Sequence, residues 1–548
     1  MSEQIFDECM YQYAAITFSP VQGFIEKTRK LRDLYGASII LSYLSQYIAQ
    51  EAKTISGVDV ISPGIDVISP GLVNTAQGMP NRILLKNNNG NFRLEELNQW
   101  VRDTLLTGWK NICNHCKTWI ETKIPESNSN KFYHWERDWD LWKNHTWEVF
   151  SGVGNTIVEA MDNLENNKLG RNWTGVNWIG ESSSITGTDA IAWPGLGKGT
   201  RNPKYLKPSQ EKQKIASFYE NLSRILETKP GQSSETIEEP EGKFLDPNER
   251  LSIPELVKRL ITRDDIRKPL KNIPHLDRFT DLVRKPNPET NTPGQWTGWF
   301  MGDGDQVGKH LKNLAASEDG DQEIRKFSEA MRNWGKIFMK KFPQDFGRVI
   351  YAGGDDFLGV IYSKNPGEPI KSNQVIDWLM KLPEEWETHG ENITLSLGFV
   401  WAGHSVPQRD ILQHCREAEQ QSKSLGRNRL TLRVVFNSGQ FVQWTCPWNY
   451  LSILQKYCDR DGGKNWGHIY NDFAQLKARH AIDFNPVTGQ VDYRLACSLM
   501  NIYFNDEGNY VWENRRDIVD KNDSSENAYL NWTNDLINVG WQLYSQND

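Results

Sequence analysis

Long apolar runs are missing from this sequence. No stretch of its 548 residues approaches the roughly 18 that a membrane-spanning helix needs, so no membrane helix is expected. A secretory signal is missing too, because MSEQIFDECM carries no basic segment followed by an apolar one. Cysteine is sparse and odd in number, seven in all, which argues against a disulfide framework and for a reducing cytoplasm. A basic excess is absent as well. The net charge of -7 and a pI near 5.9 exclude wrapping of nucleic acid by the whole surface, while leaving room for a local basic groove. The length excludes one typical core, and two to four domains are expected.

Tryptophan is the residue in excess. There are 22, and Trp135, Trp139 and Trp142 in HWERDWDLWKNHTWE fall at i, i+4 and i+7. That spacing puts three indoles on one helical face, the pattern of a buried face or subunit interface rather than of a base-stacking channel.

YQYAAITF (11–18) reads as a strand, followed by one long helix in SPVQGFIEKTRKLRDLYGASIILSYLSQYIAQ, with Ser19 as N-cap and Pro20 at the first helical position. Lys27, Arg29, Lys30 and Arg32 on it read as a solvated face, with phosphate contact as the alternative. DVISPG occurs at 59–64 and again at 66–71, and two copies read as a duplication in a loop rather than a solenoid. A first palm-like domain is expected over 1–110, with helical insertions and the remainder of that palm over 111–228. Residues 229–249, KPGQSSETIEEPEGKFLDPNE, have linker composition. A helical domain follows over 250–290, with a capping-box spacing at Ser252 and Glu255. Residues 291–440 alternate as β-α-α-β-β-α-β-α-β around a central hairpin, and 441–548 read as helical. The expected fold class is α+β: two ferredoxin-like palms with intervening and C-terminal helical domains.

The chemistry lies in two acidic motifs, GDGDQVG (302–308) and YAGGDDF (351–357). Asp303 ends one predicted strand, and Asp355 and Asp356 sit in the turn of the next hairpin, so a palm brings the carboxylates to one sheet edge. Oxygen-only donors suit Mg²⁺ or Mn²⁺, and two ions about 3.5–4 Å apart would activate a hydroxyl and stabilise leaving pyrophosphate. Gly353 and Gly354 suit a tight turn with positive φ and close approach of a triphosphate. Lys423, on the helix after the fourth palm strand, is a candidate phosphate clamp within a palm and a solvated charge outside one. No general base is identifiable.

DGDQVGKHL, YAGGDDFLGVI, ITLSLGFVWAGHSVP and ITFSPVQGFIEKTRKLRDLYGAS together resemble the large cyclase subunit of type III, Cmr-type CRISPR effector complexes, in scattered blocks over most of the chain. That family is related to GGDEF cyclases and carries two palms, the second bearing GGDD. The resemblance implies conversion of ATP to 3′–5′ cyclic oligoadenylates when the complex, with its other subunits and crRNA, binds target RNA. It implies Asp303, Asp355 and Asp356 as metal ligands and catalytic residues. It places Gly304, Asp305, Gly353, Gly354 and Lys423 near nucleotide, Asp305 being structural in the alternative. Ser19, Gly23 and Gly36 match the first-palm segment facing a second nucleotide, with capping the competing role for Ser19.

The sequence also departs from the family. About ten residues precede the first strand, and PHLD (274–277) and RHAID (479–483) contain no adjacent His-Asp pair, so no HD nuclease is expected. The family's cysteine-rich zinc element is reduced to CNHC, and zinc on Cys113 and Cys116 is doubtful without a second CxxC. Three other readings stay open: transfer to another acceptor such as S-adenosylmethionine, a catalytically silent scaffold, and a free diguanylate-type cyclase.

Overall fold

The computed structural model describes residues 11–545 except 53–64, 74–77, 89–91, 125–132, 171–174, 177, 179, 194–207, 229–239, 241, 271–272, 274–281, 289–290, 366 and 483–492. The chain divides into two units, one of residues up to 281 with 311–329, the other of 282–310 with 330–548. Among the described residues no helix is long and apolar enough to cross a membrane.

The first unit holds the strands β1 (Tyr13–Ser19), β2 (Ile65–Ser69), β3 (Ile83–Asn87) and β4 (Glu148–Gly154) in the antiparallel order β2-β3-β1-β4. Helices α1 (Gln22–Glu26) and α2 (Leu31–Ala52) join β1 to β2. Helices α3 (Leu94–Lys123) and α4 (Tyr133–His145) join β3 to β4, and α5 (Ile157–Leu169), α6 (Pro208–Glu227) and α7 (Ile253–Leu260) follow. This is the β-α-β-β-α-β path of a ferredoxin-like fold. Strand periodicity sorts the central strand between two cores: Ala14, Ile16 and Phe18 enter one, Ala15 the other. Trp135 and Trp139 are buried in the larger core and Trp142 packs at its margin, so the tryptophan face is a packing face.

Four local expectations need correction. Ser19 is the last residue of β1 and not a helix cap, because the strand pairs through Ser19 opposite Glu148. The expected single helix is two, broken at 27–30, where the Asp33 carboxylate accepts hydrogen bonds from the backbone N–H groups of Arg29 and Lys30, both at 3.0 Å. The basic run is not simply a solvated face. Lys27 pairs with Asp189 at 3.2 Å, Arg29 and Lys30 lie 3.8 and 3.7 Å from Glu249, and Arg32 donates to Thr262 at 3.2 Å. The end of the expected linker is core, since Phe244, Leu245 and Glu249 are buried. The second DVISPG copy begins inside strand β2, and the first lies outside the described residues.

Below these segments lies a charged centre. Arg259 on α7 is fully buried and donates to both Asp33 oxygens, at 2.7 and 2.8 Å, and to Glu249. Helix α7 starts at the expected capping box, with the Glu255 carboxylate accepting from Ser252 N at 2.7 Å. Gly36 marks where α2 meets α7: a Cβ there would lie 1.7 Å from the Lys258 carbonyl oxygen. Because that obstacle is backbone, Gly36→Ala is expected to cost at least the ~1–3 kcal/mol typical of overpacking, read as a lower thermal midpoint of the full chain.

The second unit holds β5 (Thr297–Gly304), β6 (Gly347–Ala352), β7 (Asp356–Ile361), β8 (Leu395–Ala402), β9 (Arg429–Val435) and β10 (Phe441–Pro447), ordered β10-β9-β8-β5-β7-β6. The inner order β8-β5-β7-β6 repeats that of β4-β1-β3-β2, so both sheets are ferredoxin-like, and β9 adds parallel to β8. Helices α8 (Val307–Ala315) and α9 (Gly320–Lys341) join β5 to β6, α10 (Ser372–Glu387) joins β7 to β8, and α11 (Gln408–Ser424) joins β8 to β9. The region after 440 is helical, as in α12 (Gly467–Ala478), α13 (Tyr493–Tyr503), α14 (Glu507–Glu513) and α15 (Glu526–Ser545), but its first residues form β10. Trp532 of α15 donates to the Thr445 carbonyl of that strand at 2.8 Å.

Candidate active site

The register of the second sheet builds the site. Strand β5 is central and antiparallel to both neighbours, and Asp303 near its end stands directly opposite Asp356 of β7 and Ser396 of β8. The β6–β7 hairpin turns over Gly353–Asp355, with Gly353 N donating to Asp356 O at 3.1 Å. Gly304 N donates to Asp355 O at 2.8 Å, which ties the two acidic motifs through their backbones. From α9, the buried Arg332 donates to the Gly353 carbonyl at 3.1 Å and braces the turn from behind. Neither Gly353 nor Gly354 adopts a positive φ, so turn strain does not explain them. A Cβ on Gly354 would meet nothing within 4 Å, so its surroundings are open to an approaching group.

Lys423 on α11 reaches this edge: its ammonium lies 2.5 Å from Asp303 Oδ2 and 2.5 Å from Glu419 Oε1. Burial raises the Asp303 carboxyl above its ordinary value, and the Lys423 charge only partly offsets that. Surrounding protein, and then the like charges of Asp355 and Asp303, push the Asp356 carboxyl up to about 7. The Asp356 side chain itself is exposed at the rim of the sheet.

Two residues at the site were not foreseen. Glu419 is buried and its carboxyl is raised, first by burial, with Lys423 opposing. Its position four residues before Lys423 on a helix was the available signal. The Tyr351 phenol is raised by burial and then by Asp356, Asp303 and Glu419, which places it beside the acidic group; it opens the YAGGDDF motif.

Asp305 does not join the open edge. It is buried, and its carboxylate accepts from Thr394 Oγ1 and Ser396 Oγ, each at 2.7 Å, and from Asn428 N at 2.9 Å. Ser19, Gly23 and Gly36 belong to the first unit, where Gly36 is a packing glycine. Cys113 and Cys116 lie in the hydrophobic core of α3, fully buried with thiols raised by burial. Among the described residues no third ligand gathers around them. Asp459, Asp461 and His468 do cluster, but Asp459 already accepts from the backbone N–H groups of Asp461, Gly463 and Asn465.

Asp303, Asp355 and Asp356 fit a hard divalent ion by donor chemistry: oxygen only, with like charges that a cation would relieve. Binding would displace the Asp356 proton, so Mn²⁺ affinity of the full chain is expected to fall about tenfold from pH 8 to pH 6. Paramagnetic resonance titration checks this, and an affinity flat across that range would contradict it.

Residues 297–431 match the Cas10/Cmr2 second palm domain, and residues 13–114 match the N-terminal domain of CRISPR-associated protein Cmr2. Among solved structures the chain is similar to a type III-B Cmr-beta complex in the apo state, at 12% identity over 91% of this chain and 78% of that chain, with a TM-score of 0.55. It is also similar to a Csm1-Csm4 cassette with cA4, at 12% identity over 98% and 70% of the two chains and a TM-score of 0.46. The cassette with one ATP matches at 14% identity over 98% and 70%, with a TM-score of 0.45. At these identities the likeness concerns fold alone. No curated protein sequence matches the chain.

Proposed function

We propose, proceeding from the matches to the Cas10/Cmr2 second palm domain and the Cmr2 N-terminal domain, that the chain is the large subunit of a type III CRISPR RNA-guided effector complex whose second palm makes cyclic oligoadenylates from ATP. In this reading the other subunits, crRNA and target RNA are its partners, and pairing with target RNA starts synthesis. The observation that carries it is the register that sets Asp303 directly across from Asp356, beside the Gly353–Asp355 turn.

The reaction joins the 3′-hydroxyl of one ATP to the α-phosphate of another; the new O–P bond forms as the bond to pyrophosphate breaks. Asp303, Asp355 and Asp356 would hold Mg²⁺ or Mn²⁺, which when bound neutralises phosphate charge and favours the ionised hydroxyl. The chain's own contribution is positioning and electrostatics. Lys423 brings an ammonium to the phosphate side, and its present partner Asp303 lies on the same edge. The open surroundings of Gly354 admit a triphosphate. Arg332 and the Gly304–Asp355 hydrogen bond keep the turn in place while charge moves.

Mass spectrometry of the product tests this reading. A ring of 3′–5′-linked adenylates is expected from the assembled complex given ATP, Mg²⁺ and target RNA. A conjugate with S-adenosylmethionine would move the acceptor and leave the site in place, and absence of any ATP-derived product would overturn the reading.

A further inference from the structure

We propose that Asp305 is a positioning residue whose buried carboxylate fastens the C-terminal turn of α11, bearing Lys423, to the end of β5, bearing Asp303. The residue is 6% exposed, and its contacts draw three segments together. Oδ1 accepts from Ser396 on β8 at 2.7 Å, while Oδ2 accepts from Thr394 ahead of β8 at 2.7 Å and from Asn428 N at 2.9 Å. Its own backbone N–H donates to the Thr394 carbonyl at 2.8 Å.

The segment from Lys423 to Asn428 transmits that anchor. Arg427 N donates to Ser422 O at 3.1 Å, and Arg427 and Asn428 both take left-handed conformations, φ 63° and 52°, which fold the chain sharply back. Ser422 Oγ donates to Leu397 O at 2.9 Å and ties the last turn of α11 to β8. Releasing Asp305 would free the Asn428 amide and loosen the turn that places the Lys423 ammonium. Asp303 would be little disturbed, because strand pairing on both sides holds it.

The inference rests on the reading that Lys423 meets nucleotide phosphate. The test uses the full chain with a fluorescent ATP analogue, Mn²⁺ without nucleotide, and amide hydrogen exchange. Asp305→Ala is expected to weaken analogue binding about tenfold, the scale of a lost hydrogen-bond acceptor for buried donors, with Mn²⁺ affinity within about twofold of the parent. Asp305→Asn retains an oxygen for Asn428 and an amide that the Ser396 hydroxyl can accept, so it is expected to recover most of the binding. In a Lys423→Met background, Asp305→Ala is expected to add less than about twofold, as residues acting through one another are non-additive. Loss of Mn²⁺ binding, an Asn variant as poor as Ala, or an undiminished loss in the Lys423→Met background would each overturn the proposal. If Asp305→Ala does not fold, the Thr394→Val, Ser396→Ala double variant removes two donors, and its loss of analogue binding must also depend on Lys423. If the parent binds no analogue, the functional reading fails. Faster exchange over 421–430 in Asp305→Ala but not Asp305→Asn still decides the anchoring role.

Discussion

Asp355→Ala combined with Asp356→Ala is expected to lower product formation by at least about a thousandfold while leaving the fold and the complex intact, as removal of charge-stabilising groups does. Asp356 is the first residue of β7, at the rim of the sheet, and its side chain is solvent-exposed, so truncation removes a proposed ligand without opening a cavity. The Gly304–Asp355 bond is made by backbone, and the Asp303–Asp356 register by strand pairing, so both persist in the alanine variant. The repulsion that raises Asp356 also disappears, so the variant is expected to be no less stable than the parent. Product yield and a melting curve measured together separate the two effects. Normal yield from the double variant would remove this edge from the chemistry.

Arg259→Met is expected to destabilise the first unit by about 3–5 kcal/mol, the cost of stranding a buried charge. The guanidinium is fully buried between Asp33 and Glu249, whose side chains are 2% and 1% exposed, so water cannot replace it. Burial alone would raise the Asp33 carboxyl, but Arg259 and the two backbone N–H groups outweigh that and hold it below its ordinary 3.8. The sign follows from linkage. A depressed carboxyl adds stability above its unfolded pKa, and that stability is lost as pH falls through the lower folded value. The parent should therefore lose stability below about pH 4 from this group, and Arg259→Met should lose less there, because its Asp33 is no longer held down. Chemical denaturation of the full chain at pH 7 and pH 3.5 reads both.

The shared acidic edge was legible because it depends on strand order. Once a hairpin stands between two strands that pair with a common neighbour, Asp303 and the GGDD turn must share an edge, and Asp356 does face Asp303. Lys423 was legible as a helix position but not as an ion pair, because its partner lies on a strand 120 residues earlier in the chain. The role of Asp305 was hidden for the same reason: its donors come from residues 394, 396 and 428. Ser19 was misread because a Ser-Pro pair before a helical pattern looks like a cap, while pairing with β4 extends the strand through it. Linker composition averaged over 229–249 concealed Phe244 and Leu245, which the core of the first unit claims. The burial of Cys113 and Cys116 in the core of the first unit is a property that the CNHC spacing does not carry.

The most direct test of the account is to follow labelled ATP through the purified complex with Mg²⁺, with and without target RNA. The account predicts cyclic adenylate products only when target RNA is present, and none when Asp355 and Asp356 are both alanine. ATP that remains unconverted in the presence of matching target RNA would contradict it and leave the palm as a scaffold.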